Sequence, residues 1–507
     1  MRFEAQRELR PRRTANITVR TGDNETRVVI LGAGPAGLTA AYELSNSGTP
    51  CVVLEQDAVV GGLARTIEYN GFRFDIGGHR FYTKVSLVQQ IWHDVLGDDL
   101  LTCKRLSRIY YKSRFFHYPL EPFDAIRGLG VIEAFRCAFS FVRSQLFPTL
   151  PERDFATWVS NRFGRRLFET FFESFTEKVW GMQCRKIAAE WAAQRIQGLS
   201  LWSLLRDALF QRSDKQTKTL IKEFQYPRLG PGMLWSRMKE IVEQRGIPVI
   251  LNAPVESVQW QEGRIVSVKA GSETYHGTHF ISSIPIRELI QKLNPTAPRP
   301  LLAAANKFCY RDFLTVALMV RDRNLFPDNW IYLHDSGVTA GRVQNYGNWS
   351  PEMTPDSDLT CLGVEYFCNI TDAIWSTPDK DLIELATREM VQLGLVREQD
   401  VFDGAVVRMP KAYPVYDSTY QDSLATVREF LATVPNLQLV GRNGMHRYNN
   451  QDHSMLTAIL AARNVAGARF DLWNLSVDQD YLEAGPQISN EEIAALDRAQ
   501  PLVPSAI

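Results

Sequence analysis

The sequence predicts an α/β protein built on a doubly wound, dinucleotide-binding domain, into which a helical region and a mixed or antiparallel sheet are inserted. Three observations predict it. A short apolar run is followed by a glycine-rich turn and a helix near the start. Strand patterns return after a long helical stretch, and one last strand–helix pair comes near the end. A domain that opens and closes the ordered chain is therefore discontinuous.

The first βαβ unit is predicted from local composition. Residues 27–31 (RVVIL) form an apolar run typical of a buried parallel strand. The segment LTAAYELSNSG has helix composition and ends at Gly48, a typical residue just past a helix end. Residues 51–54 (CVVL) predict the next strand, which ends at Glu55. Together these elements open a parallel sheet.

The middle of the chain predicts the inserted regions. Residues 85–225 have mostly helical patterns rich in aromatic residues and arginines. Strand patterns follow over 247–281, 306–320 and 359–368, and a last strand over 437–442 precedes a helix over 452–469. The predicted divisions are a flexible leader (1–26), a cofactor domain in three parts (27–84, 226–300, 436–473), a mostly helical substrate region (85–225), a substrate-binding sheet region (301–435) and a tail (474–507).

The turn Gly32-Ala-Gly34-Pro-Ala-Gly37 predicts a dinucleotide site, because a strand precedes it and a helix follows it. Gly32 permits a tight turn, Gly34 lets the backbone approach a pyrophosphate, and Gly37 permits close packing of helix on strand. The helix N-terminus offers N–H donors to the phosphates. Glu55 is placed to accept hydrogen bonds from ribose hydroxyls, and its charge disfavours a 2′-phosphate.

Composition excludes several classes of protein. The chain has 507 residues with 57 basic and 57 acidic side chains, so no net charge attracts nucleic acid. Seven cysteines without a CxxC pair, and only His276 and His279 as close histidines, predict neither a disulfide framework nor a metal site. No apolar run is long enough to span a membrane, and the leader lacks an apolar signal region. We therefore expect a cytoplasmic protein without an integral membrane span.

A second glycine-rich segment bears on whether the cofactor is FAD or NAD. Gly61-Gly62-Leu63-Ala64-Arg65-Thr66 follows Glu55, and Phe74-Asp75-Ile76-Gly77-Gly78-His79 comes next. This pattern resembles the large FAD family that includes amine oxidases, protoporphyrinogen oxidases, phytoene desaturases and UDP-galactopyranose mutases. Ala253-Pro254-Val255, Ser282–Pro285 and Gly441-Arg442 resemble further FAD-contacting segments of that family, and the resemblance covers about residues 27–470.

The resemblance implies FAD as cofactor. The residues expected to bind it are Gly32, Gly34, Pro35, Ala36, Gly37, Glu55, Gly61, Gly62, Leu63, Ala64, Arg65, Gly78, His79, Val255, Gly441, Arg442, Asp452 and Met455. Asp452 and Met455 begin the last predicted helix, whose N-terminal N–H groups are expected near the flavin oxygens.

One stretch resembles the UDP-galactopyranose mutases in particular. Phe175-Thr176-Glu177-Lys178-Val179-Trp180-Gly181 is similar to their YTxKxWG motif. Further similar segments hold Tyr226 and Pro227, Gly341-Arg342, Tyr413-Pro414 and Gly441-Arg442…Tyr448. The resemblance implies His79, Trp180 and Arg342 as catalytic residues. It implies a substrate site formed by Phe175, Thr176, Trp180, Arg195, Tyr226, Arg342, Tyr413 and Tyr448.

The expected activity is therefore isomerisation of a nucleotide-activated sugar between pyranose and furanose forms, with reduced flavin as the nucleophile. Arginines and tyrosines suit a leaving diphosphate, and aromatic surfaces suit the base and the sugar. NADH or NADPH would serve as external reductant. The other expected partner is a small-molecule substrate, and a homo-oligomer is left open.

Departures from the mutase pattern keep alternatives open. The mutases have GGN followed by an aromatic residue where this chain has GGLART, and their second histidine of GPHxFHT is Tyr82 here. GGLART and GGHRF instead favour an FAD-dependent oxidoreductase of the amine oxidase or desaturase type. A flavin-bound scaffold without chemistry is the third hypothesis.

Overall fold

A computed structural model describes residues 27–118, 127–189, 223–321 and 324–475. Its strands are β1 (Val28–Leu31), β2 (Cys51–Leu54), β3 (Thr66–Tyr69), β4 (Phe72–Asp75), β5 (Leu100–Lys104), β6 (Ser107–Tyr111), β7 (Arg114–His117), β8 (Glu223–Pro227), β9 (Val249–Ile250), β10 (Val255–Gln261), β11 (Arg264–Ala270), β12 (Glu273–His276), β13 (His279–Ser282), β14 (Leu293–Asn294), β15 (Tyr310–Arg321), β16 (Trp330–Leu333), β17 (Arg342–Asn345), β18 (Leu359–Cys368), β19 (Val401–Pro414) and β20 (Leu437–Leu439).

The α-helices are α1 (Pro35–Asn46), α2 (Ser86–Leu96), α3 (Val131–Leu146), α4 (Phe155–Phe163), α5 (Arg165–Leu167), α6 (Glu173–Trp180), α7 (Gly232–Gln244), α8 (Ile286–Gln291), α9 (Arg299–Asn306), α10 (Ala373–Ser376), α11 (Asp379–Gln392), α12 (Tyr420–Ala432), α13 (Gly441–Gly444) and α14 (Gln451–Val465). A π-helical segment, Phe168–Phe172, joins α5 to α6. Within the described ranges, no helix combines the length and the apolar character that crossing a membrane requires.

The predicted doubly wound fold is confirmed. A five-stranded sheet has the order β20-β13-β1-β2-β9, and each pairing in it is parallel. The central strands β1 and β2 consist of apolar residues, and all four residues of each strand are buried. Helices α1 and α14 pack against each other beside this sheet, so residues from near the two ends of the described chain share one core.

Two further sheets carry the rest of the chain. Strands β12-β11-β10-β14 form a four-stranded sheet. Seven strands form the larger sheet, in the order β19-β15-β18-β17-β16-β6-β7. Its long strands β15 and β18 pair antiparallel from Asp312↔Cys368 to Arg321↔Leu359, and the ten residues of β15 between its two terminal residues are all buried. The predicted mixed sheet is therefore present, with α11 packed on one face.

The region predicted as mostly helical also contains strands among its described residues. Strands β5, β6 and β7 lie within Leu100–His117, and β6 joins the seven-stranded sheet beside β16. Ser107, Ile109 and Tyr110 are buried while Arg108 and Tyr111 are partly exposed, so β6 packs as a strand once a partner strand is present. That partner lies more than 200 residues away in the chain. The boundaries of the predicted domains stay predictions.

Candidate active site

One cavity of about 1260 Å³ joins the parallel sheet to the seven-stranded sheet. Its wall includes Gly32 and Glu55, directly after β1 and β2, and Arg342, Gln344 and Tyr413, on β17 and β19. Ligand pockets usually measure about 300–1,000 Å³. The cavity therefore has room for a dinucleotide and for a second molecule beside it.

The glycine-rich turn after β1 is crowded at Gly32 and Gly37 and open at Gly34. Gly32 has a φ of +97°, which favours glycine. A Cβ on Gly37 would lie 1.8 Å from the carbonyl oxygen of Gly32, so α1 packs directly on the turn. A Cβ on Gly34 would lie 3.9 Å from Cα of Gly62, on the cavity wall. The turn thus presents bare backbone to the cavity, as a pyrophosphate site requires.

Glu55 is buried at the end of β2 and lines the cavity. Its Oε2 accepts a hydrogen bond from the N–H of Ala33 at 2.6 Å, and its Oε1 accepts one from the N–H of Asp57 at 2.9 Å. Burial raises the pKa of this carboxyl, against the lowering effect of the two N–H groups. Each carboxylate oxygen can accept a second hydrogen bond, so Glu55 is oriented for hydroxyl donors.

The second glycine pair divides its roles. Gly62 lines the cavity opposite Gly34, whereas the N–H of Gly61 donates to the carbonyl of Ala33 at 2.9 Å and braces the turn from behind. Arg65 reaches the cavity wall and forms an ion pair with Asp57 at 2.6 Å. A basic group thus lies beside the predicted phosphate site.

The N-terminus of α14 also faces the cavity. Asn450 and His453 form a capping box, which satisfies two of the terminal donors. Asp452 is buried, and its Oδ2 has no hydrogen-bond partner within the described part of the chain. Burial raises the pKa of this carboxyl. A buried acceptor at a helix N-terminus fits a ligand that brings an N–H donor, such as a flavin ring.

These features fit FAD, although three predicted contacts take other positions. Gly37 packs helix on strand, and Gly61 braces the turn. The Met455 side chain lies in the core, where its Sδ accepts a hydrogen bond from Nε1 of Trp92 at 3.1 Å, so a contact of its backbone with FAD stays a prediction. The remaining predicted cofactor residues line the cavity: Gly32, Gly34, Pro35, Ala36, Glu55, Gly62, Leu63, Ala64, Arg65, Gly78, His79, Val255, Gly441, Arg442 and Asp452. Their contacts with FAD stay a prediction.

His79 lies between the two halves of the cavity, with Nε2 2.9 Å from the carbonyl oxygen of Ile76. Burial and the nearby Arg442 lower its pKa to about 4. The imidazole is therefore neutral near pH 7. It can contact a ligand there, but it does not supply an acidic proton at that pH.

Aromatic rings and a guanidinium group dominate the other half of the cavity. Tyr413 and Tyr448 stack with ring centroids 5.5 Å apart and planes 15° apart. Trp180 meets the Tyr413 ring edge-on at 6.5 Å. The guanidinium carbon of Arg442 lies 4.7 Å from the Tyr448 ring centroid and 5.5 Å from that of Tyr413. Four predicted residues from distant segments thus meet, and all four line the cavity.

Arg342 is held in place by a buried acid that the sequence analysis missed. Its Nε donates to Oε2 of Glu365 at 2.5 Å, and Nε2 of Gln344 donates to Oε1 of Glu365 at 2.8 Å. A Cβ on Gly77 would lie 3.8 Å from Nη2 of Arg342, which places the guanidinium beside the Gly77-Gly78 turn. Burial raises the pKa of Glu365, while Arg342 opposes that rise. The i, i+2 spacing of 342 and 344 on one strand face was the available sequence signal.

The FTEKVWG segment forms most of α6 and contributes in two ways. Phe175 and Thr176 line the cavity, and the Phe175 ring stacks on His334 with centroids 4.4 Å apart. Lys178 points away and donates to four carbonyl oxygens, those of Leu333, Asp335, Val338 and Ala340, at 2.9–3.1 Å. Burial lowers the pKa of this lysine to about 8. Lys178 therefore ties α6 to the loop after β16.

One predicted substrate residue does not join the site, and another lies outside the described residues. The prediction for Tyr226 is wrong in this structure, because its side chain is fully buried away from the cavity and donates to Oδ2 of Asp75 at 2.6 Å. Its position on β8, paired with β5, places it in a core with Trp349. Arg195 lies outside the described residues, so its predicted role stays a prediction.

Besides the dinucleotide half and the half around Tyr413 and Arg342, the cavity has an apolar arm that extends under α3. No charged side chain of α3 lines it, and aromatic rings from α4 to α6 form its opposite wall. The α3 residues that line the arm are Ala134, Cys137, Ala138, Phe141 and Val142. The arm suits hydrocarbon or aromatic groups.

Comparisons with known proteins identify the family. A family model described as flavin-containing amine oxidoreductase matches residues 35–468. The solved structure of reduced UDP-galactopyranose mutase is similar with a TM-score of 0.79 at 21% identity, covering 89% of this chain and 99% of that one. Putrescine oxidase bound to putrescine has a TM-score of 0.60 at 15% identity, covering 88% and 100%. At these identities the two structures show the shared fold.

A curated relative matches this chain over a short stretch. L-amino-acid oxidase from Crotalus adamanteus is 43% identical over 67 residues, which is 13% of this chain and 13% of that protein. The predicted family and its FAD cofactor are confirmed by the family match. The nucleotide-sugar substrate, the oligomeric state and the cytoplasmic location stay predictions.

Proposed function

Because the chain belongs to the family of flavin-containing amine oxidoreductases, we propose a function that uses its FAD as a catalyst. The proposed reaction is the isomerisation of a nucleotide-activated sugar between pyranose and furanose forms. The observation that carries this proposal is the cluster of Tyr413, Tyr448, Arg442 and Arg342 on the cavity wall. Guanidinium and phenol groups are suitable donors for a diphosphate leaving group.

The arginines are oriented before any substrate binds. Nε of Arg442 donates to the carbonyl of Asn449 at 2.9 Å, and its Nη1 donates to that of Ala412 at 3.0 Å. Glu365 orients Arg342 through an ion pair instead, so part of the Arg342 charge is already offset. A guanidinium group fixed by neutral carbonyls keeps its full charge for an anion. Such groups stabilise a leaving diphosphate without rearrangement.

The aromatic residues supply surfaces and neutral donors. Burial and the neighbouring Tyr448 raise the pKa of Tyr413, so its hydroxyl stays protonated and can donate near pH 7. The faces of Trp180 and Phe175 on the cavity wall suit a sugar ring and a base. When bound, reduced flavin supplies the nucleophile for the sugar carbon.

The test compares oxidised and dithionite-reduced enzyme on a panel of nucleotide sugars, with chromatographic separation of the products. We expect a new isomer of unchanged mass from the reduced enzyme only. Tyr413→Phe should lower kcat/KM about tenfold, because it removes one donor to a charged group. Tyr69→Phe is the matched control, because Tyr69 does not line the cavity. This variant should leave kcat/KM unchanged.

A second candidate is an FAD-dependent oxidoreductase that acts on an apolar substrate. The apolar arm under α3 favours it, because a nucleotide sugar has no group that would fill that arm. If no isomer forms from any sugar, and an amine or a lipid bleaches the flavin anaerobically, the oxidoreductase replaces the mutase. If the reduced enzyme forms an isomer, the oxidoreductase proposal is overturned.

A further inference from the structure

Helix α3 (Val131–Leu146) exposes large apolar side chains. Ile132, Phe135 and Phe139 are 74%, 72% and 71% exposed. The other strongly exposed apolar residues of this helix and of the segment after it are Val131, Val142, Leu146, Phe147 and Leu150. Exposed patches of this kind mark interaction surfaces. We name this face, formed by Val131, Ile132, Phe135, Phe139, Val142 and Leu146, the α3 stripe.

The α3 stripe is a continuous band along one side of the helix. Positions 131, 132, 135, 139, 142 and 146 lie on one side of the helix and span about 100° of its surface. An amphipathic helix normally turns one such band toward the core. Helix α3 already does so with Cys137 and Phe141, which are buried. The stripe is therefore a second apolar face.

The apolar arm of the cavity opens at the edge of this stripe. Ala138 and Val142 are exposed, yet both line the cavity. The cavity wall and the exposed stripe thus form one continuous apolar surface. In water, the mouth of the arm would expose the apolar side chains of the cavity wall and of the stripe. Contact with hydrocarbon covers both sets of side chains.

Basic side chains border the stripe. Arg136 and Arg143 are exposed along its polar edge. The acidic residue nearby, Glu133, is already paired with Arg166 and Arg136. This distribution complements an anionic surface. Basic residues beside an exposed apolar face are typical of helices that lie in a membrane interface.

We propose that the α3 stripe docks on the surface of an anionic lipid bilayer. Helix α3 has 16 residues, so it is about 24 Å long and shorter than the hydrocarbon core of about 30 Å. The charged residues Glu133, Arg136 and Arg143 lie along its polar side. The helix therefore lies along the interface, and the mouth of the apolar arm faces the acyl chains.

The experiment is co-sedimentation of the FAD-loaded enzyme with phosphatidylcholine vesicles, with and without phosphatidylglycerol. We expect binding that increases with the anionic lipid and weakens as salt is added. Ile132→Ser, Phe135→Ser and Phe139→Ser should each lower the partition coefficient about tenfold, because each removes a side chain that would be buried in the bilayer. Flavin absorbance and Tm should stay unchanged, because these side chains are exposed.

Ile370→Ser is the matched control for Ile132→Ser, because Ile370 is 60% exposed and does not lie on α3. It should leave vesicle binding unchanged. Equal loss in both variants would overturn the proposal. The proposal would also be overturned if the enzyme bound neither kind of vesicle. If sedimentation analysis shows a dimer that Phe135→Ser dissociates, while vesicles are not bound, a second copy covers the stripe and the proposal is wrong.

Discussion

The two halves of the cavity are built in different ways. The half that fits the dinucleotide is formed by turns directly after β1 and β2, and it offers bare backbone at Gly32, Gly34 and Gly62. The half around Tyr413 and Arg342 is formed by side chains from β17, β19, α6 and the loop before α14. Backbone recognition depends on local conformation, whereas the side-chain cluster depends on which strands pair. Substitutions should therefore damage the two halves in different ways.

The largest effect is expected in the side-chain half. Arg342→Met leaves Glu365 buried without its cation, which should cost about 3–5 kcal/mol in free energy of unfolding. The double variant Arg342→Met/Glu365→Gln should recover most of that loss, because an uncharged amide still accepts from Gln344. Denaturant unfolding of the flavin-loaded proteins measures both.

The control for this pair is Arg165→Met. Arg165 pairs with Glu169 in an exposed i, i+4 contact, and its loss should cost less than about 0.5 kcal/mol. If Arg342→Met were no more costly than Arg165→Met, the buried pair would not be what holds the Arg342 side chain.

In the backbone half, two neighbouring glycines should respond differently. Gly37→Ala places Cβ 1.8 Å from a backbone oxygen, and the forced shift should cost about 3 kcal/mol in stability. Gly34→Ala meets only an ordinary contact at 3.9 Å, so the fold should survive. Because its Cβ faces the proposed pyrophosphate site, flavin affinity should fall at least about tenfold.

Thermal unfolding and the ratio of flavin to protein absorbance separate these two effects. Apoprotein of Gly34→Ala should melt close to wild-type apoprotein, while Gly37→Ala should melt lower. Full flavin retention in Gly34→Ala would mean that the turn does not contact the cofactor.

The smallest effect is a pH dependence from a group behind both halves. Burial raises the pKa of Asp75 from 3.8 to about 7, against the lowering effect of hydrogen bonds from Tyr226 and Thr66. The folded state therefore holds this proton more tightly than the unfolded chain. The resulting stabilisation is fully present below about pH 4 and is lost as the pH rises through about 7, with about 2–3 kcal/mol of it lost between pH 5 and pH 8.

Asp75→Asn should remove this loss, so its stability should fall less than that of wild type between pH 5 and pH 8. Denaturant unfolding at the two pH values gives the difference. Asp358→Asn, at an exposed position, should keep the wild-type pH dependence. Identical pH dependence in Asp75→Asn and wild type would show that Asp75 does not carry it.

The sequence predictions were more accurate where the structure depends on local pattern than where it depends on which strands pair. The strand predicted at 359–368 has those bounds in the structure, because most of its residues are apolar. Strand β19 was not predicted, since residues 401–414 mix charged, small and apolar side chains. It forms because β15 provides a long antiparallel partner. Arg342 was predicted from a resemblance, but its partner Glu365 lies on a different strand and was missed.

The sequence alone determined the dinucleotide-binding unit, the α/β class and the FAD cofactor. These depend on local patterns, in which glycine spacing and apolar runs act over a few residues. Only the tertiary structure decided that Tyr226 is a core residue, that Glu365 orients Arg342 and that α3 turns a second apolar face outward. Apolar periodicity predicts a helix but not how many of its faces are covered, because the covering residues come from elsewhere in the chain.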